Sequence, residues 1–177
     1  MRILVVSDTH GDPRGLVAVL GKLGRSVQLL VHLGDGAEDL DAAARYGSPM
    51  PPCRSVEGNM DRDSGLPSFL SLWAYDRKIL AAHGHHYLGG DSYRPLLAAA
   101  KREDASAFLF GHTHLPFWEL MQGVLLLNPG SLSRPRGSYG PSFAVLEAPP
   151  LGMGAIDVKM YELSGGAARP RFTLIRP

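Results

Sequence analysis

The sequence predicts an α/β protein built around two sheets, and three observations lead there. The first sixty residues alternate apolar runs with helical patterns as strand, helix, strand, helix, strand, the order of a parallel sheet with crossover helices. The second half brings short apolar runs separated by glycine and proline turns, which look antiparallel and suggest a second sheet. The 21 glycines and 14 prolines supply those turns, and 177 residues suffice for a single domain over 1–177 with its own core.

Residues 3–6 (ILVV) form a continuous, β-branched-rich run, as a strand buried on both faces requires. Asp12 then reads as a helix N-cap with Pro13 at the first helical position, and Leu16, Val17, Val19, Leu20 and Leu23 give that helix its apolar face. Residues 27–33 make a second buried strand that stops at Gly34-Asp35. The helix over 37–46 carries acids in its first turn, where the helix dipole favours them. "CRSVEGN" (53–59) is a third, shorter strand. "SFLSLWAY" and "KILAAHG" pair through a turn at Asp76-Arg77; a helix over 93–102 and a buried strand in "SAFLFGH" follow. "FWELMQ", "VLLLNPG" and "SFAVLEA" belong to the second sheet, residues 149–171 show no clear pattern, and "RFTLIRP" reads as an edge strand.

Apolar residues at 45%, charged residues at 20% and a net charge of +1 describe a soluble globular chain without a footprint for extended nucleic acid or an anionic membrane. The single cysteine, Cys53, excludes an internal disulfide and a thiolate-rich metal cluster, and reads as a small apolar side chain. The opening apolar run is too short for a signal-peptide core, and no stretch approaches the ~20 apolar residues of a membrane helix, so the cytoplasm is the expected compartment. His32, inside a strand, reads as a satisfied core histidine; Trp73, Phe117 and Trp118 read as core or subunit-interface aromatics. Exposed strands of the second sheet suit a homodimer or higher homo-oligomer.

The chemistry gathers at strand ends. One run ends in Asp8-Thr9-His10, the next in Gly34-Asp35, the third in Gly58-Asn59, and later ones in His83-Gly84-His85 and Gly111-His112-Thr113-His114. A lone aspartate after a strand is ordinarily a helix cap and a lone His-Gly a turn; an ordered set in register with successive strands is neither. Ligands of open α/β sheets bind outside the carboxyl ends of the strands, so these groups converge on one rim. Carboxylates, imidazoles and one carboxamide, without sulfur, suit Mn, Fe, Zn, Ni or Co. Seven such groups are too many for one tetrahedral ion and suit two ions sharing a carboxylate, the clamp used for in-line attack on phosphorus.

In this order, Asp8-Thr9-His10, Gly34-Asp35, Gly58-Asn59, His83 and Gly111-His112-Thr113-His114 resemble the motifs of the calcineurin-like metallophosphoesterases. "SDTHG", "HGH" and "NPGS" (128–131) look like the family's small single-domain, YfcE-like phosphodiesterase branch. The resemblance implies an α-β-β-α sandwich of two mixed sheets and a dinuclear centre, most readily with Mn2+, acting on small phosphodiesters. Carried over by motif, Asp8, His10 and His114 hold one metal, Asn59, His83 and His112 the other, and Asp35 bridges them; a metal-bound hydroxide is the implied nucleophile.

One position departs from the larger family. Many members carry histidine after the Gly-Asn pair to protonate the leaving group; here Met60 stands there, and a thioether has no proton to give. The small branch commonly lacks that histidine. His85, then His86, then His10 are the replacement donors, Asp61 braces the loop, and Arg134 or Arg136 in the "NPGSLSRPRGS" loop could steer a phosphate. The rival readings are a non-catalytic protein-interaction scaffold, like the retromer subunit of the same fold, and a phosphomonoesterase or small nuclease.

Overall fold

A computed structural model describes residues 1–88, 92–166 and 168–176. In chain order the elements are β1 (Arg2–Val6), α1 (Arg14–Leu23), β2 (Leu29–His32), α2 (Ala37–Arg45), β3 (Cys53–Ser55), β4 (Phe69–Ala74), β5 (Arg77–Ala82), α3 (Arg94–Arg102), β6 (Ala107–Leu109), β7 (Pro116–Met121), β8 (Val124–Pro129), β9 (Ser142–Glu147), β10 (Asp157–Ser164) and β11 (Arg171–Ile175). They form a six-stranded sheet in the order β11-β10-β9-β1-β2-β3 and a five-stranded sheet in the order β4-β5-β6-β8-β7.

Strand alternation builds four layers from this list. Ile3 and Val5 of β1 and Val31 of β2 face Ile79 and Ala81 of β5, Leu109 of β6 and Leu127 of β8 across the space between the sheets. The intervening residues turn outward. Leu4, Val6 and Leu30 meet Leu16, Val19 and Leu20 of α1, while Leu80, Phe108 and Leu126 meet Leu96 and Ala100 of α3. Burial on both faces is why these strands read as unbroken apolar runs. Among the described residues no helix is long and apolar enough to cross a membrane.

Both sheets are mixed, as the resemblance implies, but one strand changes sheet. "SFAVLEA" is not in the second sheet: β9 pairs antiparallel with β1, with Leu4 opposite Val145, and carries β10 on its other side. The second sheet has a parallel centre, with β5 beside β6 and β6 beside β8, flanked by antiparallel β4 and β7. Residues 149–171 hold the unanticipated strand β10, half exposed along its length, and β11 forms the foreseen edge; Pro177 lies outside the described residues.

One local expectation changes and another narrows. The α1 N-cap is Pro13, one residue later than expected; the Asp12 carboxylate instead accepts the Arg14 N–H at 3.2 Å and pairs with its guanidinium at 2.6 Å. Trp73 is 61% exposed, because Leu72 and Ala74 take the inward positions of the edge strand β4, which removes its core reading and leaves the subunit-interface one. Trp118 and Phe117 pack partly buried against the core, as expected. His32 is fully buried and satisfied: its Nδ1 accepts the Gly34 N–H at 3.2 Å, and its Nε2 lies 3.2 Å from the Thr9 hydroxyl. Burial pushes the Cys53 thiol up to about 11, so it is an inert packing group.

Candidate metal centre

The parallel strands β1 and β2 of one sheet, and β5, β6 and β8 of the other, end on the same rim. Hydrogen bonds tie their following loops together: within the second sheet Gly111 N–H donates to the His83 carbonyl at 2.9 Å, and across the sheets His112 N–H donates to Asp8 Oδ2 at 3.1 Å. The turns there are tight. Asp8, His10, Asp35, His112 and His114 all adopt positive φ, between 47° and 68°. Left-handed backbone costs a non-glycine residue roughly 1–2 kcal/mol, and such strain gathers at functional sites.

All seven residues expected as ligands meet. Around Asp8 Oδ1 stand His114 Nε2 at 3.1 Å, His10 Nε2 at 3.6 Å and His83 Nε2 at 4.0 Å. Asp35 Oδ2 lies between His83 Nε2 at 3.4 Å and His10 Nε2 at 3.8 Å. Asn59 Oδ1 is 3.2 Å from His83 Nε2 and 3.0 Å from His112 Nδ1. Two triplets, Asp8/His10/His114 and Asp8/Asp35/His83, are compact enough to hold a metal ion, and Asp8 belongs to both.

Each ring nitrogen or oxygen turned outward has a partner that fixes its inward counterpart. His83 Nδ1 sits 2.6 Å from the Leu33 carbonyl and His114 Nδ1 2.6 Å from the Arg134 carbonyl, so each Nδ1 donates outward and each Nε2 is the atom turned inward. Asp8 Oδ2 accepts the Ser7 hydroxyl at 2.5 Å and the His112 N–H, whereas Oδ1 is buried without a hydrogen bond. Asp35 Oδ1 accepts the Met60 N–H at 2.7 Å, leaving Oδ2 inward. Carboxylate oxygens and ring nitrogens therefore converge, and the donor set fits a divalent cation.

The electrostatics carry the same demand for positive charge. Burial raises the Asp8 carboxyl, but His10, His114, His83 and Ser7 together hold it well below the ordinary range. Asp35 is likewise depressed: burial works upward, and the bond to His83 and the Met60 N–H outweigh it. Asp8 raises His114 against the effect of its burial; His83 is raised by Asp35 and Asp8 despite burial. Without a cation, protons are drawn to the place it would fill.

A second set of residues holds the loops. Asp61 accepts N–H groups of Asp35, Gly36, Ala37 and Gly58 at 2.7–3.0 Å, clamping the loops after β2 and β3 together and bracing its own, as expected. Asn128 donates to the Gly111 carbonyl at 2.7 Å and the Thr113 hydroxyl at 3.0 Å, and the Ser131 and Ser133 hydroxyls donate to the Asp8 carbonyl at 2.7 and 3.1 Å. Asp39 accepts the Gly11 N–H at 2.9 Å. The Asp61 brace is legible in the sequence, and the "NPGS" run is the visible signal of Asn128 and Ser131; Ser133 and Asp39 carry no such mark.

The remaining expected residues spread out. The His85 ring lies 5.4 Å from His83 and 6.1 Å from His112, with its Nδ1 buried and unpartnered, and His86 stacks on it at 3.8 Å. Arg134 lines a cavity of about 710 Å³ beside the centre; Arg136 is exposed on the same loop and gives its N–H to the His114 carbonyl at 3.3 Å.

Glycine is needed at 111, where a Cβ would collide with the Ser7 hydroxyl and the Asp8 carboxylate. Gly111→Ala is expected to cost about 2 kcal/mol in denaturant unfolding and to lower bound metal. Gly21→Ala, whose Cβ meets open space on α1, should stabilise by about 1 kcal/mol.

Comparison with known proteins finds relatives of the whole chain. YsnB of Bacillus subtilis, a probable metallophosphoesterase, is 31% identical over 165 residues, covering 93% of this chain and 93% of YsnB. The phosphodiesterase YfcE of Escherichia coli K12 is 29% identical over 168 residues, covering 83% of this chain and 88% of YfcE. The structure of Vps29 from Entamoeba histolytica in complex with zinc superposes with a TM-score of 0.74 at 22% identity, covering 99% of this chain and 98% of that one, a likeness of fold. The model of the calcineurin-like phosphoesterase superfamily domain matches residues 1–149, and the chain belongs to that superfamily.

Proposed function

We propose that this chain is a metal-dependent phosphodiesterase that hydrolyses small phosphodiesters with two divalent cations. One observation carries the reading: the Nε2 atoms of His83 and His114, each ring held by an outward Nδ1 bond, face the inward oxygens of Asp8 and Asp35 in buried space. Buried carboxylates so placed need positive charge beside them, which ring protons or a cation would supply. Asp8, His10 and His114 would hold one ion, Asn59, His83 and His112 the other, and Asp35 would be shared. Mn2+ is the first choice for these donors, with Fe, Zn, Ni and Co as alternatives. When bound, such ions supply a water of lowered pKa and the positive charge that attack on phosphorus requires.

The chain's own groups do the rest. Asn59 adds a donor without adding negative charge, so the centre still attracts a phosphate anion. Arg134 is positioned on the cavity wall to pair with a non-bridging phosphate oxygen, and Arg136 to steer from outside. His85 is the closest replacement for the proton donor missing at Met60. Burial pushes the His85 imidazole down, aided by His86, His83 and His112, which disfavours its protonated form and makes it a poor proton donor. Across diesters of rising leaving-group pKa, kcat/KM is therefore expected to fall steeply; a flat series would contradict weak acid assistance.

Protein loaded with Mn2+ should release nitrophenolate from bis(p-nitrophenyl) phosphate faster than from p-nitrophenyl phosphate, and a chelator should stop both. The rival scaffold reading draws on the fold likeness to Vps29 and leaves the unpartnered Asp8 oxygen unexplained. Failure to bind any of the five metals would favour it. The same proposal puts the protein in the cytoplasm, where Cys53 stays reduced, and pairs it through exposed strands of the second sheet. A monomer in sedimentation would remove that pairing.

A further inference from the structure

The cavity of about 710 Å³ runs from the metal centre between the start of α2 and the loop over 60–66. Its size is that of a site for a nucleotide-sized ligand. Met60, Leu40 and Leu66 give it an apolar wall. Met60 is 62% exposed and has its backbone fixed by the N–H bond to Asp35, which leaves a soft thioether side chain standing at the cleft edge beside the centre.

The cleft is poorly equipped for a second phosphate. The amides at the start of α2 would ordinarily bind an anion, but those of Asp35, Gly36 and Ala37 are all taken up by Asp61, and that of Gly11 by Asp39. Glu38, Asp41 and Asp63 add carboxylates that form no ion pair among the described residues, against Arg62 and Arg134. Resting on the phosphodiesterase reading, we infer that this cleft receives one uncharged alcohol arm of the diester, of nucleoside size, packed on Met60, Leu40 and Leu66, and disfavours an arm ending in a further phosphate.

The test uses protein carrying 13C-methyl methionine. Thymidine 5′-methyl phosphate should shift the Met60 methyl signal, assigned by its loss in Met60→Leu, and leave that of Met153, 74% exposed and outside the cleft, in place. Thymidine 3′-phosphate 5′-methyl phosphate should bind about tenfold more weakly, and Glu38→Gln/Asp41→Asn/Asp63→Asn should narrow that gap. With turnover, the nitrophenyl ester of thymidine 5′-phosphate should exceed methyl nitrophenyl phosphate about tenfold in kcat/KM, through KM, and Met60→Ala should reduce that ratio. A Met60 signal indifferent to the nucleoside ester, or a 3′-phosphate bound equally well, would overturn the inference. Failure of the phosphodiesterase reading would show separately, as no nitrophenolate from bis(p-nitrophenyl) phosphate, since the methyl shift needs no turnover.

Discussion

Asp8→Asn is expected to lower phosphodiester hydrolysis by about 10³-fold and to cost the metal-free fold about 1–3 kcal/mol at neutral pH. Both effects follow from the two oxygens of Asp8. Oδ2 takes two donors, Ser7 and His112, and the new carboxamide oxygen can replace it. The new NH2 group falls where Oδ1 stood, 3.1 Å from His114 Nε2, and ends the charge-assisted pairing by which Asp8 raises that ring. The substitution thus gives up that pairing and removes the one carboxylate common to both triplets. In the wild type, metal at a hundredfold its Kd should add about 2.7 kcal/mol, roughly 5–10 °C in Tm. In Asp8→Asn that gain should be nearly absent. Calorimetry with and without chelator reads both quantities.

Asp61→Ala should be the most damaging change outside the ligands, at about 3–5 kcal/mol, because four backbone N–H groups lose one acceptor together. It should also lower metal content, since Asp35 and Asn59 ride on the clamped loops. Asp61→Asn keeps part of the acceptor capacity and should cost less. The pH dependence has a definite sign. Burial raises the Asp61 carboxyl, but the N–H groups of Ala37, Gly58, Gly36 and Asp35 outweigh it and hold it below the ordinary value of 3.8. Folded protein then binds fewer protons here than unfolded protein, so the stabilisation is complete above the unfolded value and lost as pH falls through the folded one. Stability of metal-free wild type should decline more steeply below pH ~4 than that of Asp61→Asn. Equal slopes in acid denaturation would contradict the clamp.

The site was more legible in the sequence than the sheet partition. Asp8, Asp35, Asn59, His83 and the pair His112/His114 are visible because each follows an apolar run, often beside a glycine, and strand ends in register imply a common rim. The α/β class and most strand positions followed from runs that are apolar on both faces. The place of β9 did not. Its pairing with β1 joins Leu4 to Val145, and an apolar run carries no mark of so distant a partner. β10 escaped because Asp157, Lys159 and Glu162 blur its alternation, and its stability comes from β9 and β11 on either side. The left-handed backbone of five site residues is equally unreadable, since Asp and His adopt it only where surrounding bonds hold it. Trp73 shows the converse: its bulk suited the core or a subunit interface, and strand parity put it on the outer face.

The central claim is a pair of cations held by these seven side chains, and anomalous diffraction from Mn2+-loaded crystals tests it most directly. Two peaks are expected, one among Asp8, His10 and His114 and one among Asn59, His83 and His112, with Asp35 between them. A single peak would contradict the shared carboxylate, and an empty cluster at saturating Mn2+, Zn2+ and Fe2+ would contradict the metal centre itself.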